Sequence, residues 1–164
     1  MKTRAAIVLV TLLTLIFFSC NSKTDMPETN ETADQTFEQG NIKITDTWIR
    51  PGAAGMNTAF FFNVTNSSDM PDTLVSAESG IAEIVEIHET YEKGDDMMGM
   101  RSVEEVVIPA NSTFEFKPMH HHVMLIKVIN DLKIDDEATV NLKFKNTGDI
   151  KITAKVIDMK TMKH

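Results

Sequence analysis

EATVNLKFKNTGDIKITAKVID, residues 137–158, decides the fold. Val140, Leu142 and Phe144 recur at every second position, with polar or charged residues between them. A period of two marks a strand with one buried face. KNTGD, between this run and the next, carries the Asn, Gly and Asp that reverse a chain. The same signal extends outward through IKITDTWI (42–49), AFFFNVT (59–65), TLVSAE (73–78) and AEIVEIHET (82–90). It continues through RSVEEVVI (101–108), TFEF (113–116), HVMLIKVI (122–129) and IKITAKVID (150–158). These runs are short and rich in β-branched and aromatic residues. RPGAAG, TNSSDMPD, EKGDD and IPANS separate them as turns. There is no convincing helical period and no tandem repeat. Eight or nine short strands at this spacing predict an all-β domain, an antiparallel β-sandwich. Trp48, Phe60, Phe62, Val64, Leu125, Val140, Leu142 and Phe144 are expected in its core.

The N-terminal part has a different composition. Lys2 and Arg4 precede AAIVLVTLLTLIFF (5–18), which reads as a secretory signal over residues 1–19. The run is short of the roughly 20 apolar residues a membrane span needs. It ends in Phe17-Phe18-Ser19-Cys20, similar to a bacterial lipobox but with Phe17 where Leu is usual. Cys20 is the only cysteine. A lone free thiol is unusual in an exported protein, so we expect lipidation at Cys20 over a chance cysteine. A diacylglycerol and an N-acyl group there give the two-chain anchoring that stable attachment requires. NSKTDMPETNETADQTFEQG (21–40) has five acidic residues, one lysine and almost no apolar content. With Cys20, residues 20–40 are expected to be a disordered acidic tether.

The formal net charge is −8, and residues 1–19 contribute two cations and no acid, so the remainder is more acidic still. That excludes nucleic acid as a partner and an electrostatic grip on anionic lipid. Residues 41–158 suffice for one core and one domain, followed by a short tail, 159–164.

Four of the five histidines and five of the eleven methionines lie between His88 and Met124. A core methionine is ordinarily a gap-filler, but GDDMMGMR places Met97, Met98 and Met100 in the turn and rising strand of a hairpin. His122 and Met124 project from one face of a strand, as do Met98 and Met100 on theirs, with Met97 facing away. Ile84, Glu86 and His88 share a face, opposite Val85, Ile87 and Glu89. If the strand of His88 pairs with that of Met100, and the strand of MHHHVML (119–125) lies alongside, the side chains converge near one end of the sandwich. Imidazole suits several transition metals and thioether favours Cu(I). Two His and two Met form a neutral set suited to a monovalent d¹⁰ ion. Thioethers also resist the oxidation that consumes thiols outside the cytosol. The histidines must be deprotonated to bind.

At this point the residues resemble the periplasmic copper chaperones called PCu(A)C, whose pattern is His, about ten residues, Met, twenty-one residues, then His-x-Met. His88 stands in EIHET, Met100-Arg101 matches the family's Met-Arg pair, and His122-Val123-Met124 closes the pattern. Twenty-one residues separate Met100 from His122; eleven separate His88 from Met100, one more than the family spacing. The extra residue leaves Met98 as the alternative to Met100, and the Met-Arg pair favours Met100. ITDTWIRPGAAGMNTAFFFNVTN and IPANSTFEFKP extend the resemblance over most of residues 42–157. It implies a cupredoxin-like domain that binds Cu(I) through His88, Met100, His122 and Met124. Together with the lipobox-like Cys20, it gives the expectation of a lipid-anchored protein in the cell envelope, facing the periplasm, without catalysis. Copper would pass by ligand exchange to the copper centre of a haem-copper oxidase, through an oxidase subunit or assembly factor.

Two other classes remain open from the residues alone. One is a surface lipoprotein that binds a protein or glycan, with the His/Met patch incidental. The other is a protein that sequesters Zn(II) or Cu(II) through His120, His121 and His122. His120 and His121 are otherwise a wet loop or an accessory site, with Met98. Met119 is an entry ligand or surface filler. In the tail, Met159, Met162 and His164 are surrounded by lysines, which disfavours binding a cation. No Ser-His-Asp set, Gly-rich phosphate loop or carboxylate pair stands out.

Overall fold

The computed structural model describes residues 35–95 and 97–159. The expected signal, Cys20, the tether up to residue 34, Met162 and His164 lie outside the described residues. Within them the chain forms β1 (Phe37–Gln39), β2 (Ile42–Ile49), β3 (Thr58–Asn66), β4 (Asp72–Glu78), β5 (Ala82–Gly94) and β6 (Met97–Ser102). Then come β7 (Val106–Ile108), β8 (Ser112–Phe116), β9 (His122–Val128), β10 (Glu137–Phe144) and β11 (Gly148–Val156). β10 and β11 pair antiparallel from Glu137↔Lys155 to Phe144↔Gly148, so the opening stretch is a hairpin. Val140, Leu142, Phe144, Ile150, Ile152 and Val156 are buried while Lys143, Lys151 and Lys155 are exposed. The period of two thus does what it predicts, placing one face in the core.

Backbone pairing runs β6-β5-β9-β3-β2-β11-β10-β4-β7, with β1 on β2 and β8 on β3. β3 changes partner along its length, pairing β9 at Thr58–Phe60 and β8 at Phe62–Asn66. β4 comes back against β5, and β7 against β3 and β8, so two inner faces enclose one core. All eight residues expected in the core are buried.

Four details depart from the sequence reading. The sandwich is not wholly antiparallel, because β11 joins β2 in parallel at Lys155↔Trp48 and Val156↔Ile49. RSVEEVVI is not one strand: Arg101 and Ser102 end β6, and Val106–Ile108 form β7 at the far end of the pairing order. Two adjacent charges, Glu104 and Glu105, break its alternation where the chain crosses over. Phe37–Gln39, inside the segment read as tether, is a strand paired with Ile42–Ile44. Finally, a β-bulge lies between Thr45 and Trp48, with Asp46 at φ 52°. One extra residue reverses which side chains face inward. Ile42, Ile44 and Ile49 therefore enter the main core, and Trp48 is buried on the opposite face with Ala59 and Phe61.

Candidate metal centre

That second apolar cluster is the floor of the site. Trp48 stacks on Phe61 with ring centroids 4.3 Å apart, and the Phe61 ring lies 6.0 Å from the His122 ring. Opposed residues of paired strands share a face. His88 opposes His122 across β5 and β9 and opposes Ser102 across β5 and β6. The two imidazole centroids are 5.9 Å apart, a gap that two metal–nitrogen bonds of about 2 Å can span. Met124 opposes Glu86 and Met100 opposes Thr90, so each thioether is one rung from His88 on the same face. The structure therefore brings His88, Met100, His122 and Met124 together. Met98 opposes Glu92, two residues further out. It is about 13 Å along the strand from the rung of His88, against about 7 Å for Met100. Parity does not separate these two methionines; the register places Met100 nearer the rung of His88.

Each imidazole is held through one nitrogen. The His122 Nδ1 donates to the His120 carbonyl at 3.0 Å, which leaves Nε2 with the lone pair. The His120 carbonyl also accepts from the Thr90 amide and hydroxyl. A turn presents this carbonyl: the His120 amide donates to Lys117, with Pro118 and then Met119 at φ 66° between them. His88 Nε2 lies 2.8 Å from a Glu86 carboxylate oxygen, and its Nδ1 is buried with no hydrogen-bond partner. A buried polar atom without a partner is costly, and a bound cation is one thing that satisfies it. The hairpin carrying Met100 is braced on its other face, where Arg101 pairs with Glu89 and lies over the Tyr91 ring. A Cβ added at Gly99 would come within 2.9 Å of that ring, so the ring would have to shift to admit one.

Of the three histidines only His122 lies in a strand; His120 and His121 precede β9. His121 turns from the site, edge-on to Phe114 and 3.6 Å from Glu89 through Nε2. His120 is exposed. Among the described residues no three of His, Cys, Asp and Glu converge as a metal site. The alternative of a Zn(II) or Cu(II) site built from His120, His121 and His122 finds no such cluster among the described residues. Glu86, Phe61 and the His120 carbonyl were missed as site components; the shared face of Glu86 and His88 was the one signal available.

Burial pushes the pKa of His122 down, with the His88 and Arg50 charges adding to the effect and the hydrogen bond to His120 opposing it. Burial also lowers that of His121, against the pull of Glu89. In the unfolded chain both take up a proton near pH 6.5; in the folded domain they do so only at lower pH. Stability from this source is therefore full above about pH 6.5 and falls as the unfolded state gains protons first. It levels off below the folded pKa values. Urea unfolding at pH 7.5 and 5.5 checks this: the midpoint falls on acidification, and falls less in His121→Phe.

Residues 42–156 match the family described as "Putative lipoprotein LpqE-like". The chain belongs to the LpqE-like family. A curated relative, "Putative lipoprotein Lxx21020" of Leifsonia xyli subsp. xyli, is 26% identical over 117 residues, covering 71% of this LpqE-like chain and 70% of its own. Among solved structures, a copper-bound PCuAC domain from PmoF2 is 24% identical with a TM-score of 0.62, covering 74% of this chain and 97% of that one. The solution structure of CuI-DR1885 from Deinococcus radiodurans is also 24% identical, at a TM-score of 0.56, covering 79% and 85%. The LpqE-like chain thus has the cupredoxin-like β fold of PCuAC domains.

Proposed function

We propose that this LpqE-like protein is a Cu(I) chaperone. The observation that carries the reading is the buried, unpartnered Nδ1 of His88, beside the free Nε2 of His122 on a face lined with thioethers. His88, His122, Met100 and Met124 would hold the ion. The soft sulfur donors select Cu(I) over harder cations. The site suits transfer better than catalysis: Met100 is 58% exposed, so an acceptor's ligand can reach the metal as Met100 leaves. The names of the copper-bound PmoF2 and DR1885 structures agree with this cargo. The lipoprotein names of the family and of the Leifsonia relative support an anchor at Cys20. We place the domain on the periplasmic side of the cell envelope, with a copper-accepting oxidase subunit or assembly factor as recipient.

An anaerobic Cu(I) competition titration against a chromophoric chelator tests the reading. The chain lacking residues 1–19 and carrying Cys20→Ser avoids binding by the thiol. One tightly held Cu(I) per chain is expected, with Zn(II) bound far more weakly. Absence of Cu(I) binding at neutral pH sinks the proposal.

A further inference from the structure

We propose that Glu86 is a positioning residue: its carboxylate fixes the proton of His88 on Nε2, presents Nδ1 to the metal and raises the site's affinity. The affinity effect rests on the copper reading above; the tautomer does not. A carboxylate is acceptor-only, so the 2.8 Å contact places the His88 proton on Nε2. A neutral imidazole has one such proton, so Nδ1 carries the lone pair. Nδ1 is the buried, unpartnered atom of a residue that shares its strand face with His122, Met100 and Met124. Without an orienting acceptor, a solvated imidazole populates both tautomers, and a proton on Nδ1 blocks the metal. The partner of His122 is a backbone carbonyl, which substitution cannot remove. The partner of His88 is a partly exposed side chain, so the orientation of this half of the site can be altered genetically. Glu86 also puts a carboxylate one residue pair from the His88–His122 rung, where its charge would favour a bound cation.

Histidine ring ¹⁵N spectra of the apo protein give a readout independent of copper. In the wild type, His88 is expected to be protonated at Nε2. Glu86→Gln keeps an oxygen acceptor, so the tautomer should persist, with a smaller loss of Cu(I) affinity from the missing charge. Glu86→Ala should show mixed tautomers and lose about 10–100-fold in affinity, the usual effect of removing an outer-shell partner. Wild-type His88 protonated at Nδ1, or an alanine variant with tautomer and affinity unchanged, overturns the proposal. A wild type that takes up no Cu(I) overturns the copper reading, and with it the affinity effect, even where the tautomer is as expected.

Discussion

Replacing Met100 and Met124 together by alanine is expected to abolish the proposed tight Cu(I) binding and to leave a folded domain. The expected loss exceeds the roughly 10–100-fold typical of outer-shell changes, because the pair of histidines left behind offers no soft donor. The fold survives because neither side chain is in the main core: Met100 is exposed and Met124 half-buried. Truncating Met124 should cost about 1–2 kcal/mol of stability from lost apolar burial, and Met100 almost nothing. Met98→Ala is the internal control. It shares the face of Met100 but sits a further rung from His88, so its affinity loss should be small. Competition titration of the three variants, with urea unfolding in parallel, checks the result. Equal binding by the double variant and the wild type would remove the methionines from the site. A large loss in Met98→Ala with none in Met100→Ala would move the ligand to position 98.

Asp72→Ala is expected to destabilise the domain by about 3 kcal/mol, the scale of a buried charge-assisted hydrogen-bond cluster. Asp72 is buried at the start of β4. It accepts from the amides of Thr73 (2.7 Å), Asn146 (2.9 Å) and Thr147 (3.0 Å), and from the Thr147 hydroxyl (2.6 Å). It therefore ties the turn between β10 and β11 to the neighbouring strand, and alanine removes the acceptor of the Thr73, Asn146 and Thr147 amides. Desolvation by burial pushes its pKa up, but the hydrogen bonds from Thr147, Asn146 and Thr73 outweigh it and hold it below the usual 3.8. A folded pKa below the unfolded one means this stabilisation is present above about pH 3.8 and is lost as the pH falls through the folded value. The gap between wild type and variant in urea should therefore be widest near neutrality and narrow toward pH 2. A constant gap across that range would show that the carboxylate's charge is not what holds the turn.

Much of this architecture is legible in the sequence because side-chain alternation reports faces. It identified β10, β11 and the outward pairing of His122 with Met124. Alternation does not report neighbours, so the order β6-β5-β9-β3 and the partner change along β3 needed the backbone. The bulge at Asp46 shows the limit most clearly. Strict alternation through IKITDTWI groups Trp48 with Ile42 and Ile44, whereas one inserted residue sends the indole to the other face, under the site. The FEQ of β1 was invisible because three residues in an acidic stretch carry no period. At the site, strand parity put His122 with Met124 and Met98 with Met100 on shared faces, and the resemblance to PCu(A)C supplied the choice of Met100 and the set of four. The groups that orient them, a carboxylate two residues upstream and a backbone carbonyl, leave no mark that spacing can show.

β6 is the terminal strand at one end of the pairing order, while β9 has neighbours on both sides. The four proposed donors would therefore differ in mechanical compliance. His122 and Met124 sit on a strand that moves only if two ladders break, and His88 on one bordered by β9 and, from its own rung outward, by β6. Met100 hangs on a margin secured by a single ladder, the kind of element that opens locally at the lowest free energy. A metal held by such a set would sit in a stiff cradle on three sides and behind a hinged gate on the fourth. Its departure would follow a fixed order, with the marginal sulfur first and the central imidazole last.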